Sequence, residues 1–185
     1  MSNTPSNMLP LGTLAPSFSL LDTTSQEKRN LAKLKGKKGT LIMFICNHCP
    51  FVIHVIETVS RLAEEYQKKG IQTIAISSND IINYPQDAPG LMTKFAERFD
   101  FSFPYLYDEK QEVAKAYQAA CTPDFYLFDE NLELVYRGQL DDSRPGNGIP
   151  VTGKDLKNAM DQLVGGEKIS TQQKPSMGCN IKWKS

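Results

Sequence analysis

The sequence carries no surplus of charge: 21 Lys and Arg balance 21 Asp and Glu. Such a balance gives no electrostatic pull towards nucleic acid or an anionic membrane surface, and neither is expected as a partner. One basic cluster, Lys33, Lys35, Lys37 and Lys38, is brief, broken by Gly36, and reads as a solvated loop. No apolar run approaches the roughly 18 residues that a membrane span needs. The opening stretch, Met1 to Pro10, places no Lys or Arg ahead of an apolar block, so a secretory leader is not expected. Internal repeats and low-complexity tracts are missing too. These absences lead to the expectation of a globular protein of the cytoplasm, where stable structural disulfides are uncommon.

What is present suits one domain with a real core: 185 residues of near-average apolar content. Thr40 to Ile45 is a continuous apolar run and predicts a fully buried strand. From Pro50 to Lys69 the period changes. Val52, Val55, Ile56, Val59, Leu62, Ala63 and Tyr66 recur at three and four residues, with His54, Thr58, Arg61 and Glu65 opposite, which predicts an amphipathic helix stopped by Gly70. Ile71 to Ser77 is the next buried strand, completing a β–α–β unit. Further strands are expected at 17–21, 104–107, 124–128 and 133–137, and helices near 90–99, 109–119 and 154–163. Thr152 or Gly153 is the expected N-cap of the last helix. Residues 22–38 read as polar and turn-rich, and 141–153 as a long Pro/Gly-rich loop. The division is an extended, poorly ordered lead (1–16), one domain (17–164) and a tail of no clear period (165–185). The order of elements makes an α/β protein with a central sheet flanked by helices.

Four cysteines in a reducing setting call for a chemical or metal explanation. Cys46-Asn47-His48-Cys49 stands where the buried strand hands over to the helix. Pro50 suits the first helical position, since its missing N–H would be unpaired there anyway. Cys49 then sits at the N-cap, where free N–H groups and the helix dipole favour a thiolate. Such sites lower a thiol pKa from about 8.5 to between about 3.5 and 7.5. A protonated His48 would add a second cationic influence. A thiolate at neutral pH can attack a disulfide or a peroxide. The strand runs straight into Cys46, and only Cys49 has the Pro that starts the helix. Cys49 is therefore favoured as nucleophile and Cys46 as its partner, with the reverse assignment open.

Zinc is the competing reading, because Cys46, His48, Cys49 and His54 are four possible ligands in one short stretch. The geometry argues against it: zinc usually draws ligand pairs from two separate turns, whereas these lie on one corner. No metal and no cofactor enter the preferred reading. His54, on the polar helix face, reads as a solvated surface histidine.

Beyond these residues the chain resembles the thioredoxin superfamily, in its peroxiredoxin-like branch, over about residues 9–185. Gly12-Thr13-Leu14-Ala15-Pro16-Ser17-Phe18-Ser19-Leu20 is similar to the G-x-x-A-P-x-F-x-L opening of alkyl-hydroperoxide-reductase-like proteins. Thr122-Pro123 ahead of a strand resembles the cis-proline loop that faces the active cysteines. Asn47 to Phe51, Gln139 to Asn147 and Pro175 to Lys184 look like the corresponding stretches of a peroxiredoxin-like subgroup. The resemblance implies a thioredoxin-like fold with a mixed sheet, and thiol-dependent oxidoreductase activity on a protein or low-molecular-weight disulfide or a peroxide. A thioredoxin-like electron donor would serve the peroxidase variant. A non-enzymatic redox-sensing or zinc-binding module on the same scaffold is the alternative.

Two departures sharpen that picture. Laid on the thioredoxin pattern, the first active cysteine falls on Cys49, the second falls on Val52, and His48 takes the place of the usual Trp. On the peroxiredoxin pattern Cys46 replaces the Thr or Ser that positions peroxide, and Ile42 replaces the Pro. Arg137, after the hairpin, could supply the cation such sites use, or could pair with Asp141 or Asp142. The resemblance also sets Cys121 near Cys49, as a resolving thiol or a packing residue. Cys179, in a tail expected to be exposed, could be carried to the site as a resolving thiol. Trp183 is the expected apolar anchor of that tail.

Overall fold

The computed structural model describes residues 3–185. In chain order its elements are β1 (Asn3–Pro5), β2 (Ser19–Asp22), β3 (Lys28–Asn30), α1 (Leu31–Leu34), β4 (Gly39–Phe44), α2 (Pro50–Gln67) and β5 (Ile71–Ser77). They continue with α3 (Pro89–Arg98), β6 (Tyr105–Tyr107), α4 (Glu112–Ala116), β7 (Cys121–Thr122), β8 (Asp124–Asp129), β9 (Leu134–Gly138), α5 (Lys154–Val164) and β10 (Met177–Asn180). A short 3₁₀ turn, Pro85–Asp87, precedes α3.

Seven strands form the central sheet in the order β3-β2-β6-β5-β4-β8-β9. β4–β5 and β5–β6 are parallel, while β4–β8, β8–β9, β2–β6 and β2–β3 are antiparallel, so the sheet is mixed. All six residues of β4 are buried, as an uninterrupted apolar run in mid-sheet requires. Alternation divides its side chains between two cores. Leu41 and Met43 join Val52, Val55, Ile56 and Val59 of α2, Met92 and Phe95 of α3, and Leu156 and Met160 of α5. Ile42 and Phe44 face the other way, onto Leu31, Val113 and Tyr117. The apolar stripe expected on α2 is buried throughout, each Val or Ile contributing about 1.5–3 kcal/mol. β4 therefore ends on the face that α2 covers, and position 46 emerges there.

Several segments are more ordered than their composition suggests. Within the described part of the lead, β1 pairs with β10, and Leu9 is buried; Met1 and Ser2 lie outside the described residues. Residues 22–38, read as turns, contain β3 and α1, because the Asp22 carboxylate holds Thr24 and Ser25 and Asn30 caps α1 through the Lys33 N–H. The helix expected over 109–119 is cut to five residues. Gln111 and Gln118 both have positive φ (62° and 51°) and cannot continue it. The loop 141–153 is organised by the buried Asp141 carboxylate, which accepts the N–H groups of Ser143, Thr152 and Gly153. It covers one edge of α2, so Thr58 is buried and His54 Nε2 lies 2.7 Å from Ser143 Oγ rather than in solvent.

The tail differs most from its expectation. β10 lies between β1 and β7 in a second, three-stranded sheet. Ile181 N donates to Ala120 O, Lys182 N to Asn79 Oδ1, and Gln111 Nε2 to Lys182 O. Ile181 (1% exposed) is its apolar anchor, not Trp183 (42%).

Candidate active site

Cys46 and Cys49 mark the corner between β4 and α2. Ile45 N still donates to Ile76 O, in line with the sheet. Cys49 is the N-cap of α2 with Pro50 at the first position, and its carbonyl accepts the N–H groups of Val52 and Ile53. Its sulfur makes no capping bond and is directed inwards. It lies 3.2 Å from Thr122 O and 2.9 Å from Cys179 Sγ. Cys46 Sγ lies 3.6 Å from Thr122 Oγ1 and 3.9 Å from His48 Nδ1. The Thr122–Pro123 peptide is cis, and Thr122 contacts both sulfurs, so this loop faces the cysteine pair.

The two thiols ionise in opposite directions. The Cys46 thiol, donating to Cys49, is the largest influence drawing Cys49 down to about 5. Thiol and backbone donors of Cys179 and the Thr122 side chain add to it and outweigh the cost of burial. The Thr122 carbonyl favours the protonated form of Cys49 and is the opposing contact. Cys46 moves well above an ordinary thiol, first through its bond to the Cys49 sulfur, then by burial and the nearby Asp87 carboxylate. Cys179 is pushed up to about 12, first by burial and then by its bond to Cys49. Charge thus settles on Cys49, and its two neighbours remain proton donors.

His48 is placed differently from its expected role. It touches Cys46 rather than Cys49, its Nδ1 lies 2.7 Å from Asp87 Oδ2, and its ring stacks on Tyr84 at 5.7 Å between centroids. Because a carboxylate can only accept, the Nδ1 proton faces Asp87, and the Cys46 sulfur lies beside the ring. Asp87 is wholly buried and also accepts Asn47 N (2.9 Å) and Asn79 Nδ2 (2.8 Å). Asp87 and Asn79 have little local signature: each is one polar residue among others in a polar loop, and only the fold closes that loop over the corner.

Arg137 is not brought to the thiols. It stands opposite Tyr126 in the β8–β9 register, whose side chain belongs to the core away from α2. Its Nε donates to Leu9 O and its Nη1 to Gln173 Oε1, so it fastens the N-terminal lead and the segment after α5, and pairs with neither Asp141 nor Asp142. Cys121 is buried on β7, with its sulfur 3.7 Å from Pro123 O; burial, then Asp124, pushes its thiol far upwards. Cys179, expected on a mobile exposed tail, is instead buried in β10 against Cys49. For a metal, Cys46 Sγ, His48 Nδ1 and an Asp87 oxygen lie within 4.8 Å of one another. His54, the further ligand considered from sequence, is held by Ser143 instead.

Comparison with known proteins sets this geometry in context. The Redoxin family model matches residues 10–158. The thiol-disulfide oxidoreductase ResA of Geobacillus kaustophilus is 30% identical over 125 residues, 67% of this chain and 66% of that one. The chain thus spans just under two thirds of that relative's length. Among solved structures, a conserved protein of Geobacillus kaustophilus superposes with a TM-score of 0.98 at 56% identity, covering 100% of this chain and 97% of that one. A hypothetical protein of Sinorhizobium meliloti gives 0.96 at 44% identity, covering 98% and 99%. The mixed sheet flanked by helices is that of the thioredoxin-like fold, with a peroxidoxin of Mycobacterium tuberculosis also among its structural neighbours.

Proposed function

The chain belongs to the Redoxin family, and on that premise we propose that it is a thiol–disulfide oxidoreductase in which Cys49 attacks and Cys46 resolves. The observation that carries this reading is the placement of Cys49 at the N-cap of an 18-residue helix, its sulfur 2.9 Å from Cys179 Sγ and beside the Cys46 thiol, surroundings that draw it down to about 5. Near neutral pH that sulfur is a thiolate, the form that attacks a disulfide. Cys49 displaces one sulfur of the substrate, which leaves as a thiolate and takes up a proton. The Cys49 mixed disulfide no longer carries charge, so the main reason for the high pKa of Cys46 is removed. Cys46 then attacks the Cys49 sulfur, the second substrate thiolate leaves, and its proton comes from Cys46. The substrate disulfide gains two electrons and the cysteine pair becomes a disulfide. Asp87 holds the His48 ring in place, 3.9 Å from the Cys46 sulfur, as charge develops there. A thioredoxin-like donor would return the pair to dithiol. The proposal includes a reducing, cytoplasmic setting, in which free thiols are the resting state.

One observation favours peroxide as a second oxidant. Cys49 is completely buried, which a small hydroperoxide tolerates better than a protein disulfide. Turnover of a small disulfide and of hydrogen peroxide, each with wild type and Cys49→Ser, tests both. Loss of both activities in Cys49→Ser is expected, and activity retained there overturns the assignment.

A further inference from the structure

Cys49 has two sulfur neighbours, and the exchange reading uses only one. We propose that Cys179 is a third exchanging thiol, so that Cys49 is a branch point between two internal disulfides, Cys46–Cys49 and Cys49–Cys179. The inference rests on Cys49 being the nucleophile, as argued above. Its own observation is the 2.9 Å separation of the Cys49 and Cys179 sulfurs, across 130 positions of sequence.

That approach is built in by the strand around Cys179. Cys179 is in register with Thr122 on β7 and with Asn3 on β1. Gly178 lets β10 lie against the cis-proline loop, since a Cβ there would come within 1.9 Å of Thr122 O. Beyond it, Ile181 and Lys182 are fixed to Ala120 and Asn79. The sulfur therefore cannot drift from Cys49 without unpairing the strand. Cys121 sits one register position away, opposite Asn180, yet its sulfur turns to Pro123 O and stays outside the cluster.

The step balances like ordinary exchange. In a Cys49 mixed disulfide, the Cys179 sulfur attacks the Cys49 sulfur. The Cys49–Cys179 bond forms, the bond to the substrate sulfur breaks, and the departing thiolate takes the Cys179 proton. Cys46 can then attack Cys49, form Cys46–Cys49 and release Cys179 as a thiol. While the Cys49–Cys179 bond lasts, the C-terminal strand is covalently fastened over the nucleophile.

The test uses the full reduced chain treated with limiting diamide, an azo oxidant that accepts two electrons and two protons, followed by thiol counting and peptide mapping. Cys46→Ser is expected to lose two thiols as a Cys49–Cys179 disulfide, and Cys179→Ser to lose two as Cys46–Cys49. A mixed disulfide with a small substrate should accumulate only in the double variant Cys46→Ser/Cys179→Ser. If Cys46→Ser keeps its Cys179 thiol free, or pairs Cys49 with Cys121, the branch is overturned, while Cys46–Cys49 formation in Cys179→Ser leaves the exchange reading standing. If Cys49 stays unreacted in every variant, both fall.

Discussion

Cys49 and Cys121 flank the same cis-proline loop and are equally buried, yet their thiols are driven in opposite directions. Cys121 has a carbonyl at 3.7 Å and the Asp124 carboxylate for company, with Ser6 as its opposing donor. Cys49 has the S–H of Cys46, the Cys179 strand and the start of a helix. Burial alone penalises a thiolate; donors aimed at the sulfur reverse the sign. The difference teaches that reactivity here is set by what surrounds the sulfur, not by how deep it lies.

The largest break in the comparison should come from swapping each sulfur for oxygen. Cys49→Ser is expected to lower disulfide turnover by about 10³-fold or more, and Cys121→Ser to leave it within about twofold, measured as initial rates. Next, Cys46→Ala removes the strongest donor to Cys49. A hydrogen bond to a charged group is worth about 1.5–3 kcal/mol, so the midpoint of Cys49 alkylation should rise by about one to two pH units. An unchanged midpoint would show that Cys179, Thr122 and the helix start set it without Cys46.

The sign of the stability effect can be checked as well. Cys49 is depressed in the folded state, to about 5 against an ordinary value near 9. The folded chain binds fewer protons between those limits, so Cys49 stabilises it above about 9, progressively less as pH falls, and not below about 5. Denaturant unfolding of reduced wild type relative to Cys49→Ser should show that gap widening from about pH 5 to pH 8. The difference between the two proteins is needed because buried Asp124, raised to about 7 by desolvation, acts oppositely and loses its contribution as pH rises through that value.

Smaller effects concern the supports. Asp87→Asn leaves the His48, Asn47 and Asn79 donors with a poorer acceptor and should cost about 1–3 kcal/mol in chemical unfolding. Arg137→Ala should cost about 1 kcal/mol in stability and change turnover less than any of these, because its guanidinium fastens Leu9 and Gln173.

Legibility in the sequence followed locality. The apolar run before Cys46, the period change after Pro50 and the two cysteines between them are neighbours in the chain, and the strand, helix and N-cap could be read from them. The cis-proline loop was reached through resemblance, not through its own residues. Met177-Gly178-Cys179-Asn180 is only four residues long, and its pairing partners lie more than 50 residues away in β7 and at the N-terminal end in β1. Its strand, and so the place of Cys179, could not be read locally. Asp87 escaped for the same reason, since nothing nearby marks it as an acceptor for the corner. The position of Arg137 was readable, but its face was decided by register with Tyr126.

The central claim is that Cys49 alone among the four cysteines is a thiolate at neutral pH. The direct measurement is thiolate ultraviolet absorbance of the reduced protein against pH, in wild type and Cys49→Ser. One thiolate forming with a midpoint near 5, absent in Cys49→Ser, is the predicted result. A first step above about 8, or a low step that survives in Cys49→Ser, would contradict it.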